Sequence, residues 1–199
     1  MSDTRGPDLS TNRYGDAGSV PSGAAPKGAT RVMSPAFVGV GANLGDKEAS
    51  VLRAVRMLES SGIGRLIGVS SLYETEPVDC PPMASFVNAV AEIEPLLCPT
   101  DLLKRLQTIE KLSGRSGGHN EPREIDLDII TLGTAVIETP DLVVPHPRYR
   151  ERTFVLIPLR ELAPRFECPA TGQTVDELLA AIAPCRGVSR ISSRQTIYV

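Results

Sequence analysis

The apolar positions of this chain switch repeatedly between a period of two and a period near 3.6, and the switches divide it into elements. Phe37-Val38-Gly39-Val40 predicts a strand running into a turn at Gly41-Ala42-Asn43-Leu44-Gly45. Residues 47–60 place Val51, Leu52, Val55 and Leu58 on one stripe, which predicts a helix. Residues 66–73 predict a second strand. Residues 86–93 alternate, with Val87, Ala89, Ala91 and Ile93 on one face and Phe86, Asn88, Val90 and Glu92 on the other. Pro99-Thr100-Asp101 opens a helix whose stripe is Leu102, Leu103, Leu106 and Ile109. A glycine-rich loop, residues 114–122, precedes Ile125, Leu127, Ile129 and Ile130, which read as a buried strand. Val143 and Val144 predict a short strand, and residues 152–161 a helix that Pro158 shortens or kinks. Thr174-Val175-Asp176-Glu177 is a capping box ahead of Leu178, Leu179 and Ile182, and residues 186–198 predict a final hairpin.

This order predicts an α+β fold with a ferredoxin-like β-α-β-β-α-β core. Its antiparallel sheet has helices packed on its faces, both core helices on one of them, and C-terminal additions follow. A doubly wound parallel sheet would need a helix between residues 66–73 and 86–93, where the three-proline stretch Thr75–Pro82 predicts a loop. Residues 1–34 are rich in Gly, Ser, Ala, Pro and Thr without apolar periodicity. They are expected to form a disordered tail, with 35–199 as a single domain. The tail has no apolar secretory core, and Met33 stands just before the first strand as an alternative natural start.

Composition narrows the function. A net charge of -3 over 199 residues gives no basis for non-specific nucleic-acid binding. Cys80, Cys98, Cys168 and Cys185 form no CxxC pair and are expected to be reduced cytosolic thiols, in a cytoplasmic protein. No apolar run reaches the roughly 20 residues that span a membrane. His119 and His146 are the only histidines, which excludes a His-rich metal site. There is no P-loop, GxGxxG, GxSxG or HExxH.

The densest chemistry lies in Pro122-Arg123-Glu124-Ile125-Asp126-Leu127-Asp128-Ile129-Ile130. On a strand, Asp126 and Asp128 point to one face and Leu127 to the other. Two like charges on a half-buried face need a positive partner, and a magnesium ion held with substrate phosphates is the strongest candidate. A pair of solvated strand residues is the alternative. Arg115, Arg123, Arg148, Arg150 and Arg152 cluster around the pair in sequence and suit phosphate oxygens. Asn88 beside Phe86 either reads a heterocycle edge or is a polar edge residue next to a core ring. Gln107 and Glu110 share a helix face, which solvation explains equally well. His146, in Val144-Pro145-His146-Pro147, is either a turn residue or a phosphate or acid group.

Taken together, the segment 122–130 resembles the signature of the 6-hydroxymethyl-7,8-dihydropterin pyrophosphokinase family. So do Gly41-Ala42-Asn43-Leu44-Gly45-Asp46, Tyr73-Glu74-Thr75-Glu76-Pro77, Phe86-Val87-Asn88-Ala89-Val90, Val144-Pro145-His146 and Arg152-Thr153-Phe154-Val155-Leu156-Ile157-Pro158-Leu159. The resemblance covers residues 36–185. It implies pyrophosphoryl transfer from ATP to the hydroxymethyl group of the reduced pterin, releasing AMP, in folate biosynthesis. It implies two magnesium ions on Asp126 and Asp128, with Arg115 and Arg123 joining them as catalytic residues. Gln107, Glu110, Arg115, Arg123, His146 and Arg152 are implied on the ATP side. Thr75, Pro77, Val78, Asn88, and Phe86 and Phe154 on the two ring faces, are implied on the pterin side. The resemblance leaves the proton acceptor open; a metal-linked carboxylate is the candidate, Asp128 first. The partners implied are the two small substrates, without nucleic acid, membrane or an obligate protein partner.

The chain departs from that pattern in the loop before Pro122. Gly117 and Asn120 stand where many members have a second arginine and a tryptophan, and the loop is about two residues shorter by alignment. Closure over ATP is therefore expected with fewer contacts and slower turnover, with His119 supplying part of the missing charge. Pro147 stands where some members carry an aromatic residue that contacts ATP. Two other readings are a nucleotidyltransferase releasing pyrophosphate and a non-catalytic ligand-binding module.

Overall fold

A computed structural model describes residues 34–76, 85–113, 124–182 and 187–192. The expected tail, Pro77, Val78, Cys80, the 114–122 loop with Arg115 and His119, Arg123, Cys185 and residues 193–198 lie outside the described residues. The first half runs β1 (Ala36–Ala42), α1 (Lys47–Ser60), β2 (Gly64–Val69), β3 (Tyr73–Thr75), β4 (Phe86–Pro95), α2 (Pro99–Leu112) and β5 (Asp126–Leu132). The second half runs β6 (Ile137–Glu138), β7 (Val143–Val144), a 3-10 turn (Tyr149–Glu151), α3 (Thr153–Leu162), α4 (Val175–Ala181) and β8 (Val188–Arg190).

Local chemistry sets the helix starts. Asp46 accepts from the Ala49 N–H at 3.1 Å to cap α1, and Pro99 opens α2 with its φ already helical. Thr174 and Glu177 form the expected reciprocal box at α4. Pro158 sits inside α3, which continues through it for ten residues.

The sheet is antiparallel, with β1 between β5 and β4. The far edge of β4 takes β3 along its first half and β2 along its second. Alternation separates two apolar layers. Val38, Val40, Ala89, Ala91, Leu127 and Ile129 pack with Val51, Leu58, Leu102 and Leu106 of α1 and α2. Phe37, Val90 and Ile130 pack on the opposite face with Val155, Leu156 and Leu159 of α3 and Leu178 of α4.

The structure corrects one expectation. The strand at 66–73 is broken at Ser70 and Ser71, both fully buried: the Ser70 N–H still donates to the Val90 carbonyl at 2.9 Å, but the Ser71 N–H turns to the Glu161 carboxylate at 3.0 Å. Ser70 Oγ accepts from the Val90 N–H at 3.0 Å and donates to the Ser71 carbonyl at 2.8 Å. The C-terminal segment 188–190 pairs with β3, Tyr73 opposite Arg190, and the rest of the expected hairpin lies outside the described residues. Strand β6, which pairs with β7, was not anticipated.

Candidate active site

The sheet face toward α3 carries the polar groups. Register places Asn88 of β4, Gly41 of β1 and Asp126 of β5 in one row across three strands, with Val90, Gly39 and Asp128 in the next. Neighbouring strands lie ~4.8 Å apart, so Asn88 and Asp126 stand roughly 10 Å apart across a glycine. Two residues of strand rise separate Asp126 from Asp128 by ~7 Å at their Cα atoms. Both carboxylates are half-buried and share the α3 face, while Leu127 packs in the opposite core.

Arg152 and His146 flank Asp128. Arg152 Nη1 lies 3.8 Å and His146 Nε2 3.9 Å from its Oδ2. Arg152 is the residue before α3, and its guanidinium lies 5.5 Å from the centroid of the Phe154 ring. His146 follows β7, and its N–H donates to the Ile130 carbonyl at 2.9 Å, which places the ring beside the carboxylate strand. Burial, then the charge on Arg152, pushes its pKa down to about 4. The ring is therefore neutral at pH 7. Nδ1 accepts from the Arg148 N–H at 3.1 Å, so the proton resides on Nε2, facing Asp128.

Asn88 is held from the other side. Its Nδ2 donates to Thr75 Oγ1 at 2.7 Å, with Asn88 9% and Thr75 3% exposed. Phe86 is half-buried on the same face of β4, and Phe154 is half-buried at the start of α3. The two residues expected on α2 separate: Gln107 is exposed, whereas Glu110 is 2% exposed and accepts the Leu127 N–H at 3.0 Å. Glu110 thus anchors the segment of β5 that bears both aspartates.

Two clusters were not legible in the sequence. Lys47 Nζ reaches Ser85 Oγ at 2.7 Å and Glu74 Oε1 at 3.3 Å, while Ser85 Oγ donates to Glu74 at 2.6 Å. Those bonds, Ser85 first, hold the Glu74 carboxyl below its usual range and join the two ends of the segment between β3 and β4. The available signal was a lysine in the first turn of α1, where the helix dipole disfavours a cation without a partner.

In the second cluster, Glu161 of α3 accepts from the Ser71 N–H at 3.0 Å, Ser71 Oγ at 2.9 Å and Tyr73 OH at 2.9 Å. Burial and then Glu161 raise the Tyr73 pKa to about 12. A raised folded-state pKa favours folding fully below the unfolded value near 10 and loses that contribution as pH climbs toward 12. Tyr73→Phe should lower stability by about 1 kcal/mol at pH 8 and flatten the fall in stability above pH 10. Urea denaturation at the two pH values checks both effects.

Among the described residues no group of three or more His, Cys, Asp and Glu side chains is placed to cage a metal. Two oxygen donors on one strand face instead fit magnesium, which is usually held by one or two carboxylates together with substrate phosphates.

A family model for 7,8-dihydro-6-hydroxymethylpterin-pyrophosphokinase matches residues 37–164. The chain is 41% identical over 143 residues to the 2-amino-4-hydroxy-6-hydroxymethyldihydropteridine pyrophosphokinase of Bacillus subtilis, covering 71% of this chain and 86% of that one. To the enzyme of the same name from Pseudomonas aeruginosa it is 38% identical over 156 residues, covering 78% and 95%. A solved Plasmodium falciparum HPPK-DHPS shares the fold, with a TM-score of 0.64 at 14% identity, covering 79% of this chain and 49% of that one.

Proposed function

The chain belongs to the 7,8-dihydro-6-hydroxymethylpterin-pyrophosphokinase family, and from that premise we propose how its site divides the work. The enzyme is a transferase that moves a pyrophosphoryl group from its co-substrate ATP to hydroxymethyldihydropterin, in folate biosynthesis. The observation that carries the division is the row Asn88, Gly41, Asp126, which sets a carboxamide and a carboxylate pair on either side of a residue without a side chain.

On the pterin side, Asn88 and Thr75 read the heterocycle edge, Phe86 and Phe154 cover its faces, and the backbone near Pro77 and Val78 completes the pocket. On the nucleotide side, Asp126 and Asp128 would hold magnesium, two ions in this proposal. Gln107, Arg115, Arg123, His146 and Arg152 contact ATP, and Glu110 steadies the strand beneath it. Magnesium held there would supply charge neutralisation for the phosphates. The protein itself positions the pterin hydroxyl in line with the β-phosphorus and holds the phosphates with fixed cations. A neutral His146 donates a hydrogen bond from Nε2 without adding charge. The hydroxyl bonds to the β-phosphorus, the bond to the α-phosphate oxygen breaks, AMP leaves, and Asp128 accepts the hydroxyl proton.

The same proposal takes residues 35–199 as one catalytic domain and its core as ferredoxin-like. The sheet order β5-β1-β4, with β2 and β3 sharing the next position, supports that description. Bacterial relatives covered to 86% and 95% of their length support action without an obligate partner. The chain spans less than half of the solved Plasmodium falciparum HPPK-DHPS chain. A cytoplasmic location is part of the same proposal, and ATP as co-substrate is compatible with it.

AMP release from ATP, measured with and without 6-hydroxymethyl-7,8-dihydropterin and magnesium, tests the activity. It should require both; release that ignores the pterin rejects the assignment. Asn88→Ala should raise the KM for pterin about tenfold or more while leaving that for ATP within about twofold, since a lost hydrogen bond in a buried pocket leaves the ligand edge unpaired. Equal changes in both constants would remove Asn88 from the pterin side.

A further inference from the structure

The geometry points to Gly41 as a positioning residue for the Asn88 carboxamide, and this inference rests on the pterin-side role proposed for Asn88. Gly41 lies mid-sheet, where glycine weakens a strand, and it is not among the positive-φ glycines, so no backbone requirement explains it. Its neighbours do. A Cβ built on Gly41 would lie 2.8 Å from Asn88 Oδ1 and 3.9 Å from Asp126 Cβ. The missing side chain is therefore the gap between the two halves of the site, and the carboxamide oxygen leans into it.

Asn88 is gripped on both sides. Nδ2 is fixed by Thr75 Oγ1 at 2.7 Å, and Oδ1 lies over Gly41. A methyl group at Gly41 would meet the far end of a side chain, which can rotate away, so the fold tolerates it. The rotation, however, withdraws Nδ2 from Thr75 in a pocket where both residues are buried. The cost falls on the orientation of the group that meets the substrate.

Gly39 is a built-in control, on the same strand and the same face. A Cβ there would meet Ile130 Cδ1 at 3.2 Å and the Asp128 carbonyl at 3.8 Å, and Asn88 is not among its nearest neighbours.

The experiment measures both KM values and the thermal midpoint for Gly41→Ala, Gly39→Ala, Asn88→Ala and the double variant Gly41→Ala/Asn88→Ala. Gly41→Ala should raise the pterin KM about tenfold, the effect of one lost buried hydrogen bond, with the ATP KM within about twofold. Gly39→Ala should leave both within about twofold. In the Asn88→Ala background the Gly41 substitution should add less than about twofold, because the group it displaces is gone.

An unchanged pterin KM in Gly41→Ala, an equal rise in both KM values, or a full additional factor on top of Asn88→Ala overturns the inference. An Asn88→Ala enzyme with normal pterin KM instead rejects the role of Asn88 itself. Gly41→Ser supplies a second arm, crowding the carboxamide with a different side chain. It should show the same KM split, and Thr75→Val, which frees Nδ2 without adding bulk between the strands, must not leave the pterin KM normal; a normal value in either variant counts against the inference even if Gly41→Ala does not fold.

Discussion

Replacing both Asp126 and Asp128 by asparagine should abolish AMP formation, with kcat down at least about 10³-fold and the fold intact. The reason is the balance of charge on the strand face they share. Both side chains lie half-buried on the α3 face, with Arg152 and His146 at 3.8 and 3.9 Å from Asp128. Asparagine keeps the shape and removes two negative charges, so it should release magnesium without opening the core. Two readouts separate the effects: product formation at saturating magnesium, and the thermal midpoint without magnesium. The first should collapse while the second holds or rises, because like charges have been removed. Retained turnover would defeat the metal assignment. A collapse in both readouts would make the pair structural.

Leu156→Ala should cost about 2–5 kcal/mol of stability, lowering the urea midpoint with an unchanged slope. Leu156 is fully buried in the layer that joins α3 to Phe37, Val90 and Ile130 of the sheet. Truncation leaves a cavity under the helix that begins just after Arg152 and carries Phe154 and Glu161. That loss is a large share of the roughly 5–15 kcal/mol that holds a domain folded. Leu112→Ala, at a site 75% exposed, should stay within about 0.5 kcal/mol and serves as the control. If Leu156→Ala is as mild as Leu112→Ala, the α3 layer does not hold the site in place.

Local periodicity carried most of the frame. Alternation alone puts Asp126 and Asp128 on one face and Phe86 with Asn88 on one face, and the sheet keeps both arrangements. What failed depended on partners distant in sequence. The apolar run 66–73 looks continuous because the break at Ser70 and Ser71 is made by bonds to Val90 and Glu161, neither of which is visible locally. Glu110 resembled a solvated partner of Gln107, yet its 17-residue reach to the Leu127 N–H buries it. Gly41 read as the start of a turn, whereas register makes it the floor between Asn88 and Asp126. Tertiary contact decided each of these cases, overriding what the local pattern favoured.

The most direct test of a single site joining a nucleotide half to a pterin half is the fate of the β-phosphate. ATP labelled there, incubated with magnesium, enzyme and 6-hydroxymethyl-7,8-dihydropterin, should deliver the label to the pterin as a diphosphate and leave AMP unlabelled, in equal amounts. Label appearing in free pyrophosphate would contradict the account.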